Sequence, residues 1–282
     1  MMNLKYVSAE NIVLDLSGFP YALQDTDAFN YVWSYDYSAA SDRGINLTRF
    51  YRNSKEIHMS VVFHADTEAE VVNAMNNFFT VTEKDVINKT PGRLILDDKS
   101  YIQCYIISAE NTYWNNGIRT NARACTFLFP YPFWVTEATK NFYPVSGGET
   151  EQDFLDYPYD YNYDFAREVS GLKTWTLDHY AKSDFKMTIY GYCEEPRILI
   201  NGYPYQIFDT IEENEFVVID SRDNTVIKYL NNGTTENIFD LRNKEQSVFE
   251  QLPAGNLTIT WGGNFGFDVT AFLERSEARW GA

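Results

Sequence analysis

The chain has only three cysteines and three histidines among 282 residues, far fewer basic than acidic side chains, and no long apolar run. Each scarcity removes a class of function. Cys104, Cys125 and Cys193 are an odd set with no two close in sequence, which is neither a disulfide framework nor a paired zinc knuckle. They read as small apolar strand residues in a chain made in a reducing compartment. His58 and His64 are six residues apart; a strand would put them on one face but roughly 20 Å apart, too far to share a metal ion. No GxSxG, HExxH, GxxxxGKS/T or GxGxxG motif occurs. The cluster Gly262-Gly263-Asn264-Phe265-Gly266 lacks the lysine and following helix of a phosphate loop, so it reads as a turn. No catalytic residue, metal ligand or cofactor is therefore assigned.

Charges or amides interrupt every apolar stretch before the roughly 18 residues that a bilayer span needs. The N-terminal MMNLKYVSAENIVLDL has no apolar core of signal-peptide length. The sequence thus reads as soluble and not exported by that route. With 23 Lys and Arg against 40 Asp and Glu, the formal net charge is −17. Such a chain repels polyphosphate and anionic lipid at long range, which argues against nucleic-acid binding and against a membrane-surface role.

What the sequence does contain points to strands. Aromatic residues make up 17% of it, with 21 Tyr and 20 Phe, and such rings favour pleated, half-buried surfaces. The charge is unevenly placed: residues 1–140 hold 12 basic and 16 acidic side chains, leaving 11 and 24 for residues 141–282. Two domains with different surfaces follow from that asymmetry. Composition shifts most abruptly over Val145–Glu168, rich in Ser, Gly, acids and tyrosines, so we divide the chain into 1–140, a linker strand at 141–168, and 169–282.

In the first domain, Ile45–Phe50 and Ile57–Phe63 alternate in character and read as a hairpin joined by polar residues 51–56. Residues 66–79 carry apolar side chains at three- and four-residue intervals with acids in the first turn, which predicts a helix capped by Asp66 or Thr67. Gly92–Leu96 and Tyr101–Ile107 read as a second hairpin across Asp97-Asp98-Lys99-Ser100. Asn121–Phe129 reads as a further strand, stopped by Pro130 and Pro132.

The second domain reads as short strands at Thr188–Tyr192, Arg197–Ile200, Glu215–Asp220, Thr225–Leu230, Ser247–Gln251, Leu257–Trp261 and Phe267–Glu274. Turn residues such as Asn201-Gly202 and Asn231-Asn232-Gly233 separate them, the pattern of a β-sandwich. Asp220 at a strand end is explained by an Asx turn in which its carboxylate accepts from the amide of residue 222 or 223. The acidic, tyrosine-rich stretch 149–168 and the rings of Trp175, Trp261 and Trp280 could serve sugar binding, but an extended docked strand and buried tryptophans account for them more simply.

Several segments resemble a known family when taken in order. Gly92-Arg93-Leu94 and Tyr101-Ile102-Gln103-Cys104-Tyr105 follow the helix, then come the bridge YDYNYDF, Glu195-Pro196-Arg197-Ile198-Leu199-Ile200-Asn201-Gly202, Val217-Val218-Ile219-Asp220-Ser221, Asn237-Ile238-Phe239-Asp240 and Leu252-Pro253-Ala254-Gly255-Asn256. In this arrangement the chain is similar to the distal tail proteins (Dit) of siphophages. The resemblance implies a mainly β protein: an N-terminal β-sandwich with one α-helix and a β-hairpin arm, then a C-terminal galectin-like β-sandwich. It implies a homohexamer whose ring joins the tail tube protein to the tail-associated lysin or tail-fibre protein. It further implies outward domains that can anchor a receptor-binding protein, DNA only passing through the lumen, no cofactor and no enzymatic activity. Such a protein resides in the virion at the tail tip and is made in the host bacterial cytoplasm.

A long hairpin is the natural element for reaching a neighbour, and we place that arm at Pro91–Ile107, with Leu94, Leu96, Tyr101, Gln103 and Tyr105 at the oligomer interface. The alternative reading is a carbohydrate-binding module recognising host cell-wall glycan through Tyr and Trp rings of the second domain. A glycoside hydrolase using carboxylates of 149–168 is a third.

Overall fold

The computed structural model describes residues 3–40, 44–113, 119–145 and 171–279. The chain divides into two units, Met1–Thr136 together with Glu274–Ala282, and Glu137–Leu273. The last residues, 274–282, belong to the first unit and not to the second. There Ala278 joins the apolar core and the Ser276 carbonyl accepts from Arg52 at 3.3 Å. Most of the 141–168 linker, including the acidic stretch 149–168, and Trp280 lie outside the described residues.

In chain order, the first unit contains β1 (Leu4–Val7), β2 (Val13–Asp15), β3 (Ser17–Gly18), β4 (Tyr21–Thr26), β5 (Ser34–Ala40), β6 (Gly44–Tyr51), β7 (Lys55–His64), α1 (Glu68–Ile87), β8 (Gly92–Leu96), β9 (Ser100–Tyr113) and β10 (Thr120–Phe129), and receives the start of β11 (Trp134–Phe142). One sheet runs β3-β4-β7-β10-β9, and β9 also pairs through its first half with β8, which in turn pairs β1. Fourteen residues of β9 thus serve two sheets.

The helix begins where its sequence can satisfy unpaired amides. The Thr67 hydroxyl accepts from the Glu70 N–H at 3.3 Å and the Glu70 carboxylate accepts from the Thr67 N–H at 3.1 Å, closing a capping box. Val71, Ala74, Met75, Phe78, Val81 and Asp85 form its buried stripe. The helix continues to Ile87, beyond the predicted end at Phe79, because that stripe persists through the β-branched Thr80-Val81-Thr82 run that weakens the local propensity. Phe63 and Phe78 meet edge-to-face at 5.2 Å in the core that the helix covers. Below it, buried Asp85 accepts from the Tyr6 hydroxyl at 2.6 Å and the Ala9 amide at 3.1 Å. A Cβ at Gly92 would collide with the Tyr6 ring and hydroxyl, which fixes glycine there.

The expected hairpin between 45–50 and 57–63 does not form. β6 pairs with β5, whereas β7 lies between β4 and β10. Alternation marks both segments as strands but does not name their partners: Ile57, Met59, Val61 and Phe63 fill the interior of the unit, and β7 takes a central place between β4 and β10.

In the second unit, residues Glu137–Phe142 of β11 are followed by β12 (Gly171–Leu177), β13 (Asp184–Tyr190), β14 (Cys193–Glu194), β15 (Arg197–Ile200), β16 (Tyr203–Gln206), β17 (Thr210–Ile211), β18 (Phe216–Asp220), β19 (Thr225–Tyr229), β20 (Thr235–Asn237), β21 (Gly255–Trp261) and β22 (Gly266–Arg275). Two antiparallel sheets, β20-β19-β18-β13-β22 continuing to β11, and β12-β21-β15-β16, enclose a core with Phe142, Phe185, Tyr205, Trp261 and Phe267. This is the expected β-sandwich.

Turn chemistry is used as read: Asn201 and Gly202 take φ of 51° and 82° between β15 and β16, as a two-residue hairpin turn requires. The Asp220 carboxylate accepts from the Arg222 amide at 3.0 Å. The predicted strand Ser247–Gln251 is instead a run of turns, because Ser247 satisfies the amides locally: its hydroxyl accepts from Phe249 and its carbonyl from Glu250, each at 3.2 Å. Trp261 is buried against Phe142 and Phe267 with its indole N–H on the Phe265 carbonyl at 3.1 Å, so it is a core residue.

Candidate functional site

Catalytic geometry is not where the molecule concentrates its unusual features. Burial pushes the thiols of Cys125 and Cys193 up to about 12 and raises that of Cys104, so none supplies a thiolate near neutrality. His64 and His58 sit along β7, each bridging through Nδ1 to a threonine of β10, Thr120 at 2.8 Å and Thr126 at 3.3 Å. Among the described residues no three His, Cys, Asp or Glu side chains converge as a metal site, and no helix is long and apolar enough to cross a membrane.

The unusual feature is the hairpin β5–β6. Tyr35 opposes Phe50 and Tyr37 opposes Leu47 across its strands. With Ile45 these side chains are 49–60% exposed. The other face is polar, with Asp36 and Arg49 paired at 3.2 Å. The hairpin is therefore amphipathic, and its apolar face meets solvent. A lone two-stranded hairpin is marginal in water and both its edges present unpaired amides and carbonyls.

Its base is fixed. The Arg52 guanidinium lies 4.9 Å from the Phe133 ring centre, 5.8 Å from Tyr31 and 5.9 Å from Trp33, and burial lowers its pKa from the ordinary value despite the opposing influence of Tyr31. Lys55 donates to the Asn30 carbonyl at 2.8 Å. Both connections of the hairpin are thereby held to the unit.

The residues read from sequence as the interface are split. Leu94 and Leu96 are buried in the core of their own unit and have no side-chain surface to offer a partner. Tyr101, Gln103 and Tyr105 alternate with buried Ile102 and Cys104 and lie half-buried on the outer side of β9. The hairpin within Pro91–Ile107 is paired further, through β1 and β10, whereas β5 and β6 pair only with each other. The signal for the β5–β6 hairpin was present in the sequence: YVWSYDYSAA has apolar and aromatic residues on alternate positions without a second buried set.

A second surface is the face of the β4-β7-β10-β9 sheet turned away from the core. Ser60, His64, Thr120, Ala122, Ala124 and Thr126 occupy it, small or polar and only partly exposed. By strand alternation Asp25, Glu56, His58 and Glu110 point the same way, and among the described residues of these strands no Lys or Arg does.

No family model matches the sequence, and no curated protein matches it. Solved structures do. The Dit (gp 19.1) protein of phage SPP1, described as a paradigm of the hub adsorption apparatus in phages infecting Gram-positive bacteria, matches with a TM-score of 0.59 and 11% identity over 96% of this chain and 99% of that one. A chain of the phage P2 baseplate in its activated conformation with Ca matches with a TM-score of 0.65 and 13% identity over 99% of this chain and 100% of that one. The same baseplate with Sr gives 0.64 and 12% over the same shares. The chain has, over nearly its whole length, the Dit-like fold of phage baseplate proteins.

Proposed function

We propose that this protein is a structural, non-enzymatic hub of a phage tail tip, six copies of which close into a ring through the first unit. The observation that carries the reading is the apolar face of the 34–51 hairpin, left exposed on a fold shared with a hub protein and a baseplate chain. Ring closure uses a heterologous contact, in which one patch meets a different patch on the next copy. A hairpin whose strands pair only with each other suits the giving side of that contact. Covering five half-exposed side chains contributes on the order of 1 kcal/mol each, against an association cost of about 4–15 kcal/mol. One contact is marginal; closure, in which every copy both gives and receives, makes it hold.

The cation-free sheet face is suited to line the bore. Its carboxylates repel a phosphate backbone and none of its described residues is a Lys or Arg that would release counterions, so DNA passes with little sticking. In this reading the ring joins the tail tube protein to the tail-associated lysin or tail-fibre protein, the second units can anchor a receptor-binding protein, and the protein sits in the virion. Replacing Tyr37 and Leu47 together by serine tests it. Sedimentation velocity should show the parent as a large closed species and the double variant as a folded monomer; a variant that assembles like the parent refutes the hairpin's role.

A further inference from the structure

A different surface, in the second unit, carries features that ring assembly does not use. Tyr190 on β13 stands in register with Gly266 on β22. Because that neighbour has no side chain, the tyrosine ring lies across the strand: a Cβ on Gly266 would strike the ring itself. The Tyr190 hydroxyl donates to Asp268 Oδ1 at 3.2 Å, which fixes the ring's orientation. Burial, followed by the charge and hydrogen bond of Asp268, pushes the phenol up to about 12, so it stays protonated and keeps donating. Asp268 in turn lines a groove of about 390 Å³ on the outward face of the sheet. Thr139, Thr188 and Thr270 contribute hydroxyls to that groove, Thr139 and Thr270 lying 2.9 Å apart.

The chemistry of this groove selects a ligand class. Its volume falls within the range of about 300–1,000 Å³ typical of small-molecule sites, but its walls are mostly polar where those of apolar-ligand pockets are not. Three hydroxyls and a carboxylate beside a ring fixed in orientation match a molecule with many hydroxyls and an apolar face, which is a sugar. Charge narrows the class. Asp268, Asp220 and Glu137 outnumber Lys186 and Arg222 around the groove, so an anionic saccharide is disfavoured. Arg222 is itself committed, stacked 3.4 Å over the Phe272 ring.

We propose that this face binds a neutral glycan, with one sugar ring stacked on Tyr190 and its hydroxyls held by Asp268 and the groove threonines. The site goes beyond the hub role and does not depend on it, since every residue belongs to the second unit.

The test titrates the full chain with cellohexaose, chitohexaose and hexagalacturonate by calorimetry. One of the two uncharged oligomers should bind and the anionic one should not. Asp268→Asn and Tyr190→Leu should each weaken binding about tenfold, the size expected for losing a charge-assisted hydrogen bond. Because a ring over a glycine also supports the sheet, thermal midpoints are measured alongside, and Asp268→Asn, which keeps the shape, carries the decision if Tyr190→Leu unfolds. Absence of binding by both uncharged oligomers, preference for hexagalacturonate, or unchanged affinity in Asp268→Asn overturns the proposal. None of these outcomes bears on oligomeric state, so the glycan site and the hub reading fail separately.

Discussion

Arg52 sets its guanidinium carbon 4.9 Å from the centre of the Phe133 ring, at the point where the exposed hairpin joins the first unit. The same side chain donates to the Ser276 carbonyl at 3.3 Å, so one residue ties the hairpin base to the half-buried Phe133 ring and to the returning C-terminal segment. A partly desolvated cation–π contact contributes about 1–2 kcal/mol. Arg52→Ala should leave the protein folded while amide exchange across 34–51 accelerates and assembly weakens. Arg52→Lys should recover only part of the loss, because an ammonium lacks the planar stacking surface. Unchanged exchange in Arg52→Ala would remove this residue from the account.

The buried Tyr6–Asp85 pair gives a prediction about stability alone. Tyr6→Phe deletes a 2.6 Å hydrogen bond to a carboxylate that is 1% exposed. Chemical denaturation should show a loss of about 1.5–3 kcal/mol. Gly92→Ala should cost more, since its new Cβ collides with the Tyr6 ring and hydroxyl.

Lys228 supplies a pH dependence. Burial alone would lower its pKa, but hydrogen bonds to Asp209 and Glu215 and their charges outweigh that and raise it above the ordinary 10.5. A raised folded-state pKa stabilises fully below 10.5 and loses that contribution as pH climbs through the raised value. The tyrosines with raised pKa values act in the same alkaline window, Tyr190 up to about 12. The comparison with Lys228→Met isolates the lysine. That variant should be less stable by about 3–5 kcal/mol near neutrality, because it strands the buried Glu215. Its stability should also fall less as pH rises above 10.5; parallel curves would contradict the assignment.

The returning segment makes a prediction about dissection. A chain ending at residue 140 lacks Ala278 of the first core and the Ser276 carbonyl that Arg52 uses. It should be more sensitive to protease than the same chain with residues 274–282 appended. Equal resistance would show that the segment is dispensable to the first unit.

How much of this was legible in the sequence depends on which physical signal each element uses. Thr67 and the apolar stripe after it announce the helix, and Asn201-Gly202 and Asp220 announce their turns, because caps and turns are written in neighbouring residues. Pairing partners are not. Residues 45–50 and 57–63 both alternate, yet the partner of the first is 34–40, a choice made by what the interior can accommodate rather than by local pattern. For the same reason Leu94 and Leu96 looked like interface residues: an apolar strand position has the same sequence whether it faces its own core or a neighbour. Tyr190 over Gly266 was invisible, since cross-strand register between residues this far apart leaves no trace in one sequence.

The central claim is that this protein works by closing a ring with copies of itself, and the mass of the purified full chain in solution tests it most directly. Light scattering coupled to size exclusion should return a single species of six chains, reduced to one chain when Tyr37 and Leu47 are both serine. A parent protein that stays at the mass of one chain at every concentration measured would contradict the account.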